Sequence, residues 1–251
     1  MTFTTLMYHE IRKQTEFNPD HPSHIDVKQD YQDILPAPLF VTLEQFQQQM
    51  AYLHTEGYHT LTLAEVAAFY KDNITLPEKS ILLTFDDCFQ SLKHYAYPVL
   101  KSYGFKAVSF AVTGWLHNEQ KPFNPKQSIC LAESELHEMT DVFTYANHTH
   151  HFHQRENETT SQMMTTSPDA FLEDLVTCNT YDIIGAKDVF AYPFGLFIDQ
   201  NVETLALANF TLAFTTESGI NNKSTDPLRL KRDVVPFMMP FEGFKQLVNR
   251  R

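Results

Sequence analysis

Short runs of apolar, β-branched and aromatic residues recur along the chain, and stretches with apolar residues every three or four positions separate several of them. The first pattern is typical of buried β-strands, and the second is typical of amphipathic helices. The runs predict eight strands, at residues 3–7, 58–61, 81–85, 105–112, 142–146, 188–192, 210–215 and 228–235.

Helix boundaries can also be predicted between several of these strands. Three starts are signalled by two capping-box patterns and one Ser-Pro pair: Thr42 with Gln45, Thr62 with Glu65, and Ser167 with Pro168. Gly57 is expected to end the first helix, because glycine readily adopts the left-handed conformation found just after helices. The helix that starts at Ser167 is expected to end near Gly185.

The order of strands and helices predicts parallel strands joined by helical crossovers, as in a doubly wound sheet or a (β/α) barrel. About seven or eight such units favour the barrel. We therefore expect an α/β fold, a distorted (β/α) barrel with about seven or eight strands, in a single domain over residues 1–251. Residues 13–39 have no clear period, which predicts a long irregular loop that covers a site or caps the barrel.

Composition narrows the classes of partner. The formal net charge of −12 argues against nucleic acid or an anionic membrane as a partner. The N-terminus has no basic segment followed by a long apolar stretch, and no run approaches 18 apolar residues. We therefore expect no membrane insertion and a cytoplasmic protein, or a cell-envelope or secreted one if a leader was removed. The oligomeric state stays open.

Two groups of polar residues follow predicted strands. Asp86 and Asp87 come directly after strand 81–85, and four histidines fall within six positions after strand 142–146: His148, His150, His151 and His153. In parallel barrels the chemistry collects at the carboxyl ends of the strands, so both groups are expected at the same end.

A carboxylate from one loop and two histidines from another would give three metal ligands and leave positions open for water and substrate. Such a set suits a divalent metal, with zinc as the first choice and cobalt, nickel or iron as alternatives. The other interpretations are a helix cap or turn for the Asp pair, and an exposed polar loop or a packed histidine for the His cluster.

Three motifs in this order resemble the polysaccharide deacetylases of carbohydrate esterase family four, most closely the branch that acts on biofilm poly-N-acetylglucosamine. They are Thr84-Phe85-Asp86-Asp87-Cys88, His148-Thr149 with His153, and Tyr192-Pro193-Phe194-Gly195. The resemblance covers nearly the whole chain. It departs from the family at Cys88, where a glycine is usual.

The resemblance implies a role for each matched position. It implies three metal ligands: Asp87, His148 and His153. Asp86 would be the general base that accepts a proton from a metal-activated water. His9, in the pair Tyr8-His9, would be the catalytic acid that, when protonated, gives a proton to the leaving amine. In this branch the catalytic acid lies near the N-terminus.

The third motif and a late strand supply residues that would face the substrate. The backbone N–H of Phe194 would stabilise the oxyanion, in a turn fixed by Pro193. Many family members have an arginine that orients the base at the position of Ala191, and Arg232 could supply that charge here. A surface ion pair is the alternative for Arg232.

The function implied is metal-dependent hydrolysis of N-acetyl groups on an amino-sugar oligo- or polysaccharide, so an acetylated amino sugar is the expected partner. Cys88, Ala191 and the missing C-terminal Leu-x-His motif leave a second hypothesis, a degenerate member that binds saccharide without turnover. A third is a hydrolase of other linear amides or acetyl esters. Trp115 and Phe152 are either core residues or aromatic groups that stack on a sugar.

Overall fold

The computed structural model describes residues 1–21 and 23–250. The strands are β1 (Thr2–Tyr8), β2 (Glu10–Arg12), β3 (Ser23–Asp26), β4 (Ile34–Leu35), β5 (Phe40–Thr42), β6 (His59–Thr60), β7 (Ser80–Asp86), β8 (Ala107–Ala111), β9 (Ser128–Ile129), β10 (Phe143–Asn147), β11 (Arg155–Asn157), β12 (Thr160–Ser161), β13 (Ala186–Ala191), β14 (Leu212–Phe214), β15 (Ile220–Asn222) and β16 (Asp233–Val234).

The α-helices lie mainly between strands of the central sheet. They are α1 (Leu43–Thr55), α2 (Leu63–Lys71), α3 (Tyr97–Ser102), α4 (Glu133–His137), α5 (Gln162–Thr165), α6 (Pro168–Cys178), α7 (Asp199–Leu207) and α8 (Phe241–Val248). Short 3₁₀ turns lie at Ala37–Leu39, Pro193–Gly195 and Pro227–Arg229, and a π-helical turn at Leu92–Ala96. Within the described residues, no helix is both long enough and apolar enough to cross a membrane.

A curled sheet forms the centre of the fold, with the strand order β14-β13-β10-β8-β7-β1-β15. Its neighbours from β14 to β1 all pair in parallel, and β15 pairs with β1 antiparallel. β6 and β16 add short parallel pairings to β7 and β1. The expected α/β fold with a barrel-like sheet is therefore confirmed, and the carboxyl ends of its parallel strands lie together.

Seven of the eight predicted strands coincide with β1, β6, β7, β8, β10, β13 and β14. The eighth prediction, a strand over residues 228–235, was wrong. Its start is the 3₁₀ turn Pro227–Arg229, and only β16 remains as a strand. The segment changes partner along its length: the Leu230 carbonyl accepts from Thr215 N at 2.8 Å, whereas Val235 N donates to the Met7 carbonyl at 3.2 Å. It thereby links β14 to β1 across the gap in the curled sheet.

The predicted helix starts are confirmed, and one predicted end was wrong. Both capping boxes are formed, at Thr42 before α1 and at Thr62 before α2. Gly57 follows α1 with a left-handed φ of +72°. The helix predicted to start at Ser167 is α6, and it ends at Cys178 instead of near Gly185. Hydrogen bonds of the i→i+3 type tighten the chain just after it.

The expectation of an irregular loop over residues 13–39 was wrong in part. β3 pairs with β4 on one side and with β9 on the other, which makes a small three-stranded sheet. Strands of two to four residues are too short to show a period in the sequence. We call residues 23–39 the strap. The Arg12 guanidinium donates to Ser23 Oγ at 2.9 Å, and Lys28 N donates to the Trp115 carbonyl at 3.0 Å.

The apolar face of α1 packs against β1 and β7, the strands that lead to His9 and to the pair Asp86 and Asp87. Phe46 is fully buried, and its ring makes edge contacts with Tyr8 and Phe85, at centroid distances of 5.3 and 6.0 Å. Phe85 directly precedes Asp86 on β7. Packing under α1 therefore fixes the strand end from which the acidic pair projects.

Replacing Phe46 with Ala should lower the free energy of unfolding by about 3–5 kcal/mol, because it leaves a cavity under β7. The measurement is equilibrium urea denaturation, with Leu207→Ala as the matched control, since Leu207 is 85% exposed. Equal losses of stability in the two variants would contradict this account of the core.

Candidate metal centre

A cavity of about 210 Å³ lies at the carboxyl ends of the central strands. Seven of the eight residues that the sequence indicated as site residues line it: His9, Asp86, Asp87, His148, His153, Phe194 and Arg232. The eighth, Pro193, is buried in the turn next to Phe194. The strap supplies a wall of the cavity with Ile25 and the stretch 33–36.

The acidic pair enters the cavity through a sharp turn after β7. Asp87 and Cys88 both have left-handed backbone conformations, with φ of +73° and +55°. Asp87 N donates to the Phe110 carbonyl at 3.0 Å, which holds the turn against β8. Glycine adopts such a φ most readily, so Cys88 occupies a strained position. Its thiol is buried and lies 3.2 Å from Ser109 Oγ.

Three buried donor atoms converge beside Asp86. Asp87 Oδ1 lies 3.4 Å from His153 Nε2 and 3.8 Å from His148 Nε2, and ligand atoms of all three residues lie within 4.8 Å of one another. Among the described residues Asp87 Oδ1 has no hydrogen-bond partner. A buried carboxylate oxygen without a partner is costly. One carboxylate and two imidazoles are a donor set that fits a divalent metal.

The hydrogen bonding of His148 prepares it for a ligand role. His148 Nδ1 lies 2.8 Å from the Ala191 carbonyl, which can only accept, so the proton is on Nδ1 and the lone pair of Nε2 faces Asp87. Burial lowers the pKa of both His148 and His153. Both rings are therefore neutral near pH 7, which is the form that binds metals.

Asp174, which the sequence did not single out, fixes the histidine loop. Its carboxylate accepts from the backbone N–H groups of His150 and His151, both at 2.7 Å. The His150 ring is 2.9 Å from Thr113 Oγ1, and the His151 side chain is exposed. Only two of the four histidines thus join Asp87. The sequence signal that could have indicated Asp174 is its position among the apolar residues on the buried face of α6.

Asp86 is paired with Arg232 inside the protein. Arg232 Nη1 and Nη2 donate to the two Asp86 carboxylate oxygens at 2.7 and 2.9 Å, and Arg232 Nε donates to the Thr215 carbonyl at 2.8 Å. Arg232 is 1% exposed, so the alternative of a surface ion pair was wrong. Burial alone would raise the pKa of Asp86, but Arg232 and the nearby histidines outweigh it and lower that pKa to about 2.

His9 follows β1 and lies on the other side of the Asp86 carboxylate. Its Nε2 is 3.8 Å from Asp86 Oδ2. Burial lowers the pKa of His9 to about 4, although the charge of Asp86 acts in the opposite direction. The ring is therefore neutral near pH 7, and His9 would have to gain a proton before it could act as the acid that the resemblance implies.

Aromatic rings cover His153 from two sides. The Trp115 and Phe194 rings lie 4.5 and 4.4 Å from it, and both residues line the cavity. Phe152 instead packs beside a separate core cluster. Phe194 has a left-handed φ of +59°. Position 195 requires a glycine, because a Cβ on Gly195 would lie 1.9 Å from Thr216 Oγ1.

The arrangement has the parts needed for hydrolysis by an activated water. Three residues that could hold a metal lie next to a carboxylate that Arg232 keeps ionised, and a neutral imidazole lies on the far side of that carboxylate. Metal, base and proton carrier are the components of metal-assisted hydrolysis.

Comparison with known proteins places the chain among deacetylases. The family model described as polysaccharide deacetylase matches residues 73–213. A poly-beta-1,6-N-acetyl-D-glucosamine N-deacetylase of Staphylococcus aureus (strain MSSA476) is 26% identical over 215 residues, which cover 84% of this chain and 71% of that protein. The Staphylococcus epidermidis protein of the same name is 26% identical over 235 residues, covering 92% and 78%.

Solved structures share the fold. Streptococcus pyogenes deacetylase PplD, in complex with acetate, superposes with a TM-score of 0.76 at 24% identity, covering 100% of this chain and 99% of that one. IcaB from Ammonifex degensii superposes with a TM-score of 0.75 at 23% identity, covering 98% and 95%. At these identities the likeness concerns the fold alone.

The two kinds of histidine in the 148–153 loop should differ in metal binding. His153→Ala removes a donor atom of the triad, so zinc affinity should fall by more than the roughly 10- to 100-fold typical for loss of an outer-shell partner. His151→Ala, the matched control on the exposed side of the loop, should change it little. Calorimetric zinc titration measures both. An equal or larger loss in His151→Ala would refute the ligand assignment.

Acid should destabilise the metal-free protein through His9. Because its pKa falls from about 6.5 to about 4 on folding, the unfolded chain binds more protons between these pH values. The free energy of unfolding should therefore rise with pH in this window, with His9 contributing up to about 1.4 kcal/mol per pH unit. Urea denaturation between pH 4.5 and 6.5 should give a smaller slope for His9→Gln. An unchanged slope would contradict the shift.

Proposed function

The chain belongs to the polysaccharide deacetylase family, and we propose that it removes acetyl groups from N-acetylated amino sugars by metal-dependent hydrolysis. The family match confirms the membership that the three motifs predicted. The observation that carries the proposal is the convergence of Asp87, His148 and His153 beside a carboxylate held by Arg232. Both Staphylococcus relatives are named for poly-β-1,6-N-acetylglucosamine, so oligomers of this polymer are the first substrate to test.

Asp87, His148 and His153 would hold the metal, and the unpartnered Asp87 Oδ1 supports this assignment. When bound, a divalent metal lowers the pKa of a coordinated water and polarises the acetamide carbonyl. Zinc suits one carboxylate and two imidazoles, and cobalt, nickel and iron remain alternatives, because the donor set does not discriminate strongly among them.

Asp86 would act as the general base. Arg232 keeps its carboxylate ionised and fixes both oxygens, so the base is ready at any pH well above its pKa of about 2. A carboxylate with such a low pKa holds a proton weakly. It would therefore pass the proton on, and His9 Nε2 at 3.8 Å is positioned to receive it.

His9 would then deliver this proton to the departing nitrogen. An amide nitrogen leaves poorly unless it is protonated, so the reaction needs a proton carrier on that side. The neutral resting state of His9 suits a residue that first accepts the proton and then donates it. The backbone N–H of Phe194 would stabilise the oxyanion, and Pro193 and Gly195 restrict the turn that carries it.

The test is release of acetate from β-1,6-linked N-acetylglucosamine oligomers by the zinc-loaded protein. Asp86→Asn keeps the size and shape of the side chain but removes the proposed base, so kcat should fall by about 10²- to 10⁴-fold. Lys245→Gln, which breaks a surface ion pair to Glu242, is the control and should leave kcat unchanged.

Two results would contradict the proposal. One is that the zinc-loaded protein releases no acetate from any acetylated sugar tried, and the other is that Asp86→Asn works at the wild-type rate. Saccharide binding by calorimetry without turnover in either protein would indicate a degenerate binding protein. Turnover restricted to sugar-free amides or acetyl esters would indicate a related hydrolase.

A further inference from the structure

An ion pair joins the strap to the opposite wall of the cavity. Arg155 Nη2, on β11, lies 2.8 Å from Asp33 Oδ1, in the strap. Both residues line the same cavity as the metal triad. Among the charged cavity residues in the described part of the chain, Asp33 and Arg155 are the two that the proposed chemistry does not use.

Both members of the pair are oriented by further contacts. The Asp33 carboxylate accepts from the Tyr31 hydroxyl at 2.9 Å and from Ile34 N at 2.8 Å. The Arg155 guanidinium lies over the Phe194 ring, 5.2 Å from its centroid, and that ring lies 4.4 Å from His153. The pair is therefore held in one geometry, one aromatic ring away from a proposed metal ligand.

The pair also remains accessible to a ligand. The side chains of Asp33 and Arg155 are 21% and 34% exposed, whereas Asp86 and Arg232 are almost fully buried. Asp33 engages Nη2 of Arg155, but a guanidinium carries five N–H donors in a planar fork and a carboxylate has about four acceptor sites. Donors and acceptors therefore remain free for hydroxyl groups.

The surroundings favour an orienting role. The strap wall near Asp33 is apolar, with Ile25, Ile34 and Leu35 facing the cavity. In small-molecule sites a few fixed polar groups within apolar walls determine the orientation of the ligand. A pyranose ring presents hydroxyl groups at its edge and C–H groups on its faces, which matches a fork of donors and acceptors beside apolar side chains.

We propose that Asp33 and Arg155 bind hydroxyl groups of the sugar ring whose acetamide reaches Asp87, His148 and His153, and thereby determine specificity for a sugar over other acetylated compounds. The proposal rests on the proposed function and deepens it. It gives the strap a part in substrate binding, in addition to its structural contacts with the barrel.

The first experiment separates recognition of the sugar from hydrolysis of the acetyl group. Arg155→Lys keeps the charge but loses the fork of donors. With zinc-loaded protein, KM for an N-acetylglucosamine oligomer should rise about tenfold, the loss expected for one charged hydrogen bond, while kcat changes little. Hydrolysis of a sugar-free substrate, 4-nitrophenyl acetate, should stay unchanged.

Arg229→Lys is the matched control. Arg229 also pairs with an aspartate, Asp199 at 2.6 Å, and lies 5.7 Å from the centroid of the Phe197 ring, but it does not line the cavity. This variant should keep the wild-type KM. An unchanged sugar KM in Arg155→Lys, or an equal effect on both substrates, would overturn the proposal.

A charge swap distinguishes sugar binding from a purely structural latch. Asp33→Arg combined with Arg155→Asp can restore an ion pair between strap and wall, but it exchanges the positions of donors and acceptors. We expect thermal stability close to wild type and a sugar KM that remains raised. Recovery of the wild-type KM together with stability would show that the pair is only a latch.

Binding measurements keep this inference separate from the activity. If the zinc-loaded wild type hydrolyses no acetylated sugar, the proposed function fails, and calorimetric titration with the same oligomer still tests the pair. Weaker binding by about tenfold in Arg155→Lys than in Arg229→Lys would support it. Equal binding by the two variants would overturn it.

Discussion

The buried contact between Arg232 and Asp86 is the interaction on which the rest of the site depends. Asp86 ends β7, whereas Arg232 lies in the segment that links β14 to β1, so the pair joins two parts of the fold that are far apart in the sequence. Removing one partner of a buried ion pair typically costs about 3–5 kcal/mol, because the other charge stays uncompensated. The same contact therefore joins β7 to the segment between β14 and β1, and it keeps the Asp86 carboxylate ionised.

This contact also gives two adjacent carboxylates different properties. Arg232 lowers the pKa of Asp86, whereas burial and the charge of Asp86 raise the pKa of Asp87. A site in which neighbouring acids are driven apart in this way can assign them different tasks. Asp86 has its charge satisfied by the protein, and Asp87 presents an oxygen that the described protein atoms leave without a partner. That difference supports the proposed roles of Asp86 as base and Asp87 as metal ligand.

The long strands and the family of the chain were predictable from sequence because their signals are local. β7 is buried along its whole length and β10 at all but one position, and each leads directly into its polar motif. The two-residue strand β16 and the small sheet of the strap have no such period. Their pairing comes from contacts between distant segments, which no local pattern encodes.

The same reason limits what sequence showed about the site. The motifs gave Asp87, His148 and His153, which the structure brings together. Whether Arg232 was buried could not be decided, because its partner lies 146 positions away. Sequence reasoning missed Asp174 and the pair Asp33–Arg155. A single acidic residue on a helix or in a loop is common in any sequence, and only the folded structure shows that it lies close to the site.

The most direct test of the account is anomalous X-ray diffraction from crystals of the zinc-loaded protein. We expect a single strong zinc peak that lies about 2.0–2.2 Å from Asp87 Oδ1 and from the Nε2 atoms of His148 and His153. The Asp86 carboxylate should stay paired with Arg232, outside the coordination sphere. A zinc ion bound by Asp86 in place of Asp87, or by His150 and His151, would contradict the account.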